Sequence, residues 1–225
     1  MEKITYATWI TIARLGLIPI IMVFYIGAVH WVEIEFFGYY GRIIAFVLFG
    51  IAAVTDWLDG YVARKRGEIT DIGKILDPIA DKLLVLLGFI LIATDPNLTE
   101  DPFGIMPIWF AALFLLINLG RDYVISALRQ ISSLRGYVIP ADKFGKAKTV
   151  AQFLAIGLFM LYSIGVGANW PLGIGHDLHS YFAWITMLIA TALSVFSCAN
   201  YIIGYKRASA QRAGGTLAVE KPSEE

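Results

Sequence analysis

Four aspartates, Asp56, Asp59, Asp77 and Asp81, fall in the stretch TDWLDGYVARKRGEITDIGKILDPIADKLLVLL, residues 55–87, beside some of the most apolar sequence in the chain. At about 100° per residue, Asp56, Asp59, Gly60 and Ala63 share one helical face, and Gly73, Asp77 and Asp81 follow at intervals of four on another. If the first helix descends toward one membrane surface and the second climbs back, Asp56 lies level with Asp81 and Asp59 nearer Asp77. The four carboxylates then converge on one cleft. Ionised carboxylates crowded into a partly dry site repel one another, so they take up protons or bind cations. Two divalent ions would neutralise four charges. Hard oxygen donors suit Mg²⁺, Mn²⁺ or Ca²⁺ rather than Zn²⁺, for which the sequence has no His or Cys cluster. A two-metal carboxylate site is an apparatus for in-line displacement at phosphorus. Gly60, Ala63 and Gly73 would let a nucleotide or pyrophosphate approach the backbone, although small residues also serve ordinary helix packing in membranes. The rival explanation pairs the aspartates with Arg64, Lys65, Arg66, Lys74 and Lys82 as snorkelling charges. It suits one aspartate better than four at helical spacing.

The elements that must position these groups are membrane helices. The chain has 225 residues, 58% of them hydrophobic and 16% charged, against roughly 25% charged in soluble domains. Apolar runs lie near 9–30, 42–62, 75–94, 105–128, 150–169 and 180–204, each near the ~20 residues a spanning helix requires. The first is too long for the apolar core of a cleaved signal and should remain as a helix. A single Cys198 excludes an internal disulfide. The expectation is an all-α integral membrane protein with six transmembrane helices held by packing.

Lys and Arg occur at Lys3 and Arg14, across 64–82 and 121–148, and after Tyr205. The connections near 31–41, 95–104 and 170–179 contain Glu33, Glu35, Asp95, Glu100, Asp101 and Asp177 but no Lys or Arg, with Arg42 at their border. By the positive-inside rule both termini are cytoplasmic, and the aspartate cleft sits at the cytoplasmic boundary of the cell membrane. His30, His176 and His179 fall on the opposite side, as interfacial residues. Residues 1–205 form one membrane domain, and 206–225, rich in small and charged residues, read as a disordered polar tail.

Written as Asp56-x2-Asp59-Gly60-x2-Ala63-Arg64-x8-Gly73-x3-Asp77-x3-Asp81, the acidic stretch resembles the signature of the CDP-alcohol phosphatidyltransferase family at every defined position. The resemblance implies a homodimeric membrane enzyme that displaces CMP from CDP-diacylglycerol with an alcohol. It implies that Asp56, Asp59 and Asp77 ligate two Mg²⁺ or Mn²⁺ ions, and that Asp81 completes the metal set and deprotonates the attacking hydroxyl. CDP would lie against Asp56, Gly60, Ala63, Arg64 and Gly73, with Thr11 from the first helix. One departure is plain: that helix often opens with Asn-x2-Thr-x2-Arg in the family, whereas here Thr8 precedes Thr11 and Arg14.

The signature does not choose the alcohol. Arg121 comes at roughly the membrane depth of Asp56, and its planar fork of donors suits a phosphate, unless it pairs with a neighbouring acid. Lys146 and Lys148 belong to the basic run Lys143-Phe-Gly-Lys146-Ala-Lys148-Thr149-Val-Ala-Gln152. The segments GRDYVISALRQ and GKAKTVAQ resemble the branch of the family whose acceptor is sn-glycerol 3-phosphate, so Arg121, Lys146 and Lys148 are the candidates for holding that phosphate. The expected partners are CDP-diacylglycerol, glycerol 3-phosphate, membrane lipids and a second copy of the chain, with no nucleic acid. Two alternatives stay open: the same chemistry on inositol phosphate, serine or phosphatidylglycerol, and a transporter whose intramembrane acids carry a cation.

Overall fold

A computed structural model describes residues 6–30, 35–66, 71–99, 105–135, 143–167 and 176–213. Within these helices the side chains of 6, 7, 35–39, 56–66, 71–75, 77, 78, 143, 144, 146, 167, 176, 177 and 210–213 lie outside the described residues. The elements are α1 (Tyr6–His30), α2 (Glu35–Arg66), α3 (Asp71–Thr94), the single turn α4 (Pro96–Thr99), α5 (Ile108–Leu134), α6 (Lys143–Gly167) and α7 (His176–Ala213). There is no strand among the described residues.

Among the described residues, four helices are long and apolar enough to cross a membrane, over Thr8–His30, Ile108–Leu134, Ala147–Val166 and Leu178–Ser209. The described part of α2 holds a shorter apolar stretch, Tyr40–Thr55. Large apolar side chains such as Val23, Val47, Leu116, Leu154 and Leu188 point outward, as expected of a bundle whose solvent is hydrocarbon.

Packing runs α1 on α2 and α3, α2 and α3 on α6, and α5 on α3, with α7 against both α5 and α6. Small residues set the closest approaches. A β-carbon added to Gly41 in α2 would stand 2.7 Å from the Ala28 β-carbon and 2.7 Å from the Phe24 carbonyl oxygen of α1. One added to Gly88 in α3 would meet Ile156 of α6 at 2.7 Å. The interior between them is filled by Phe49, Leu84, Phe89, Ile92, Ile156, Phe159 and Met160. Trp184 of α7 is wedged edge-on between Phe110, Phe114 and Phe159, and its indole N–H donates to the Ile105 carbonyl at 2.9 Å.

The far end of α3, about 20 Å along the axis from Asp81, carries a buried polar knot. Asp95 is fully buried and accepts from Tyr25 Oη of α1 at 2.6 Å, from Ser163 Oγ of α6, and from Arg42 Nη2 of α2 at 3.4 Å. Its Oδ1 also accepts the Asn97 backbone N–H at 3.0 Å, which makes it the N-cap of α4 with Pro96 in the first helical position. Sequence reasoning treats Asp95 as a loop acid and Arg42 as a stray cation. Together they are an ion pair that ties four helices, and a buried charge is stable only when paired in this way.

His179 Nε2 lies 3.2 Å from the Leu158 carbonyl of α6, with the ring beside Tyr162. One further expectation is corrected. The tail expected to be disordered from Lys206 is helical as far as Ala213. Lys, Arg, Ala and Gln favour helix and simply extend α7, and Gly214 and Gly215 follow.

Candidate active site

The acidic signature lies on two neighbouring helices. Asp56, Asp59, Gly60, Ala63 and Arg64 occupy the last three turns of α2, and Gly73, Asp77 and Asp81 the first three turns of α3. Helical spacing keeps Asp56 with Asp59, and Asp77 with Asp81, on common faces, and α2 meets α3. The side chains of Asp56, Asp59, Arg64 and Asp77 lie outside the described residues. Asp81 is half-buried, near enough to Lys148 of α6 for the two charges to interact.

α1 turns polar where it runs beside these helices. Thr8, Thr11 and Arg14 recur every three residues and are almost wholly buried, and each has an interaction partner. Three polar groups buried in succession are costly in a helix otherwise built for lipid. They form the polar edge of α1 on the side where the sequence expects the nucleotide.

The basic residues divide into two groups. Lys82, next to Asp81, is drawn to α5, where its Nζ donates to Ser126 Oγ at 3.2 Å and stands 4.5 Å from the centre of the Tyr123 ring. It is held there by a hydroxyl and a cation–π contact. The second group is a cluster between α5 and α6. Arg121 Nη1 donates to Asp122 Oδ1 at 2.8 Å, and Lys148 Nζ donates to Asp122 Oδ1 at 2.9 Å and Oδ2 at 2.7 Å. Arg121 Nη2 donates to Ser197 Oγ of α7 at 2.5 Å. The first turn of α6 lies beside this guanidinium at Gly145, where a β-carbon would be in ordinary contact with Arg121 Nη2 at 3.5 Å.

Arg121 and Lys148, nominated from sequence, are therefore brought together. Lys146 lies on the same first turns of α6, with its side chain outside the described residues. Arg121 does pair with a neighbouring acid, Asp122, the alternative the sequence left open, and the residue sequence reasoning missed is Ser197. Asp122 sits inside the quoted segment GRDYVISALRQ, and an acid beside a deep arginine was itself a signal. Ser197 carried none, because a serine in an apolar helix resembles many others. Gln152, one turn beyond Lys148, is fully buried, and neither of its amide atoms has a hydrogen-bond partner.

The arrangement can separate two tasks. An acidic pair of helices offers hard oxygen donors, and of the two cations from α5 and α6, Lys148 interacts with the charge of Asp81. This is what a site needs if it must hold one phosphate by charge while a second phosphorus is attacked nearby.

Comparison with known proteins agrees with that chemistry. A family model described as CDP-alcohol phosphatidyltransferase matches residues 4–196. The chain is 34% identical over 158 residues to the CDP-diacylglycerol–glycerol-3-phosphate 3-phosphatidyltransferase of Bacillus subtilis (strain 168), covering 69% of this chain and 76% of that one. It is 32% identical over 195 residues to the protein of the same name in Rickettsia felis, covering 86% and 94%. A third relative, CDP-diacylglycerol–glycerol-3-phosphate 3-phosphatidyltransferase 2 of Arabidopsis thaliana, is 33% identical over 164 residues, covering 71% and 65%. With the signature, the helical membrane fold and the family match in agreement, the chain belongs to the CDP-alcohol phosphatidyltransferase family and is an enzyme of that type.

Proposed function

We propose that the protein transfers the phosphatidyl group of CDP-diacylglycerol to sn-glycerol 3-phosphate, giving phosphatidylglycerophosphate and CMP. The observation that carries this choice is the Arg121–Lys148 pair beside Asp81, because a dianionic acceptor needs a cationic receptor and a neutral alcohol does not. The names of the relatives, which specify glycerol 3-phosphate, support the same choice.

Asp56, Asp59, Asp77 and Asp81 are the residues that would hold divalent ions, and a set of four carboxylates fits Mg²⁺ or Mn²⁺. When bound, two such ions would neutralise the carboxylates and stabilise charge on the departing CMP phosphate. Arg121, with Lys148 and Lys146, holds the acceptor phosphate, and Arg121 keeps N–H groups beyond those donated to Asp122 and Ser197. Gly60, Ala63 and Gly73 leave room for CDP against the backbone, with Asp56, Arg64 and Thr11 at its polar edges.

Asp81 accepts the proton of the free primary hydroxyl. The hydroxyl oxygen then bonds to the phosphorus carrying diacylglycerol as the bond from that phosphorus to CMP breaks. The chain crosses the cytoplasmic membrane six times with both termini in the cytoplasm, and acts as a homodimer. The test is CMP release by the purified protein from CDP-diacylglycerol with Mg²⁺ and a panel of acceptors. Release should require glycerol 3-phosphate; equal release with inositol phosphate, serine or phosphatidylglycerol in its place would overturn the assignment.

A further inference from the structure

Asp122 is the acid that hydrogen-bonds both cations of the cluster, and its position is unusual. Arg121 Nη1 and Lys148 Nζ both lie within 2.9 Å of the same carboxylate oxygen, Oδ1, although they come from different helices. α5 packs on α3 and α7, and α6 on α7, α2 and α3. The Asp122–Lys148 ion pair joins α5 to α6. Lys148 is only 2% exposed, and Asp122 16%. Two cations so close repel, and burial strengthens the repulsion. An anion between them is what permits the arrangement.

We propose that Asp122 is a positioning residue, which fastens Arg121 and Lys148 into one receptor for the acceptor phosphate, while Ser197 of α7 fixes the other end of the guanidinium. The assignment rests on the reading of Arg121 and Lys148 as the acceptor site. Charge and geometry support it. Asp122 balances one of the two charges, and Asp81 also interacts with Lys148, so it is Arg121 that keeps charge and donors for an incoming dianion. Asp122 occupies one edge of the guanidinium, Ser197 another, and Arg121 Nε has no hydrogen-bond partner, so donors remain for a ligand. Lys148 likewise commits its ammonium to both Asp122 oxygens, which fixes its direction. Removing the charge of Asp122 leaves two buried cations uncompensated, and they are expected to swing apart and lose the common geometry that a phosphate needs.

The experiment is steady-state kinetics of the full-length protein, with KM measured separately for glycerol 3-phosphate and CDP-diacylglycerol. Asp122→Asn, nearly equal in shape, should raise the acceptor KM tenfold or more and leave the donor KM within about twofold. Asp122→Glu should recover part of the loss, because it restores the charge. Ser197→Ala should give a smaller rise in the same constant. A lower acceptor KM in Asp122→Asn would overturn the proposal, since Asp122 would then be competing with the phosphate rather than preparing its site. An equal rise in both KM values, or a fall in thermal stability with no change in acceptor KM for Asp122→Asn and Ser197→Ala alike, would assign Asp122 to the fold alone. Failure of the underlying reading looks different: the wild-type protein would then release no CMP in response to glycerol 3-phosphate.

Discussion

In the proposed mechanism Arg121 holds the acceptor and Asp81 activates it, so their substitutions should produce different defects. Arg121→Lys keeps the positive charge but loses the planar fork whose arms reach Asp122 and Ser197. The acceptor KM should rise tenfold or more, for a charged contact worth ~1.5–3 kcal/mol, as initial-rate kinetics with varied glycerol 3-phosphate would record. Asp81→Asn removes the proposed base and leaves the cations in place, so kcat should fall by ~10²-fold or more with acceptor KM little changed. A rise in the KM for CDP-diacylglycerol on Arg121→Lys would instead move Arg121 to the donor site. At the other end of the bundle, Tyr25→Phe deletes the 2.6 Å hydrogen bond to buried Asp95. It should lower unfolding stability by ~1.5–3 kcal/mol, seen as a lower Tm in detergent, while the surviving protein keeps its kcat because the knot lies far along α3 from Asp81.

Helices were the most legible element of the sequence, and their ends the least. Every apolar run became a helix, but α2 reaches Arg66 and α7 reaches Ala213, because hydropathy marks where lipid begins and not where helical hydrogen bonding ends. The one-turn α4 escaped notice although Asp95-Pro96 spells an N-cap and a first-turn proline. The acidic signature was readable because helical periodicity maps spacing directly onto faces. Of the partners of Arg121, Asp122 is its neighbour in sequence, whereas Ser197 was hidden because it belongs to a helix distant in sequence. Close helix approaches depend on glycines that sequence alone cannot rank. Gly41→Leu should cost ~1–3 kcal/mol by overpacking, because the carbonyl of Phe24 at 2.7 Å is backbone and cannot turn aside. Thermal unfolding should show the loss, and an unchanged Tm would mean that α1 and α2 are free to separate there.

The composition of the whole chain announced a membrane protein, and its family match makes it a phosphatidyltransferase; the orientation of the bundle rests on where Lys and Arg accumulate. In a Cys198→Ser background, a cysteine at Gly173 should react with an impermeant thiol reagent applied outside intact cells and one at Ser209 should not; the reverse pattern would invert the topology. Chelation should abolish CMP release, and added Mg²⁺ or Mn²⁺ should restore it. The central claim is that one protein joins a lipid phosphorus to a phosphorylated glycerol. It is tested most directly by giving the purified, metal-loaded enzyme CDP-diacylglycerol with isotopically labelled glycerol 3-phosphate and weighing the lipid product by mass spectrometry. The account predicts labelled phosphatidylglycerophosphate in equal amount to the CMP released. CMP release without label in the lipid, or label entering only when an uncharged alcohol replaces glycerol 3-phosphate, would contradict it.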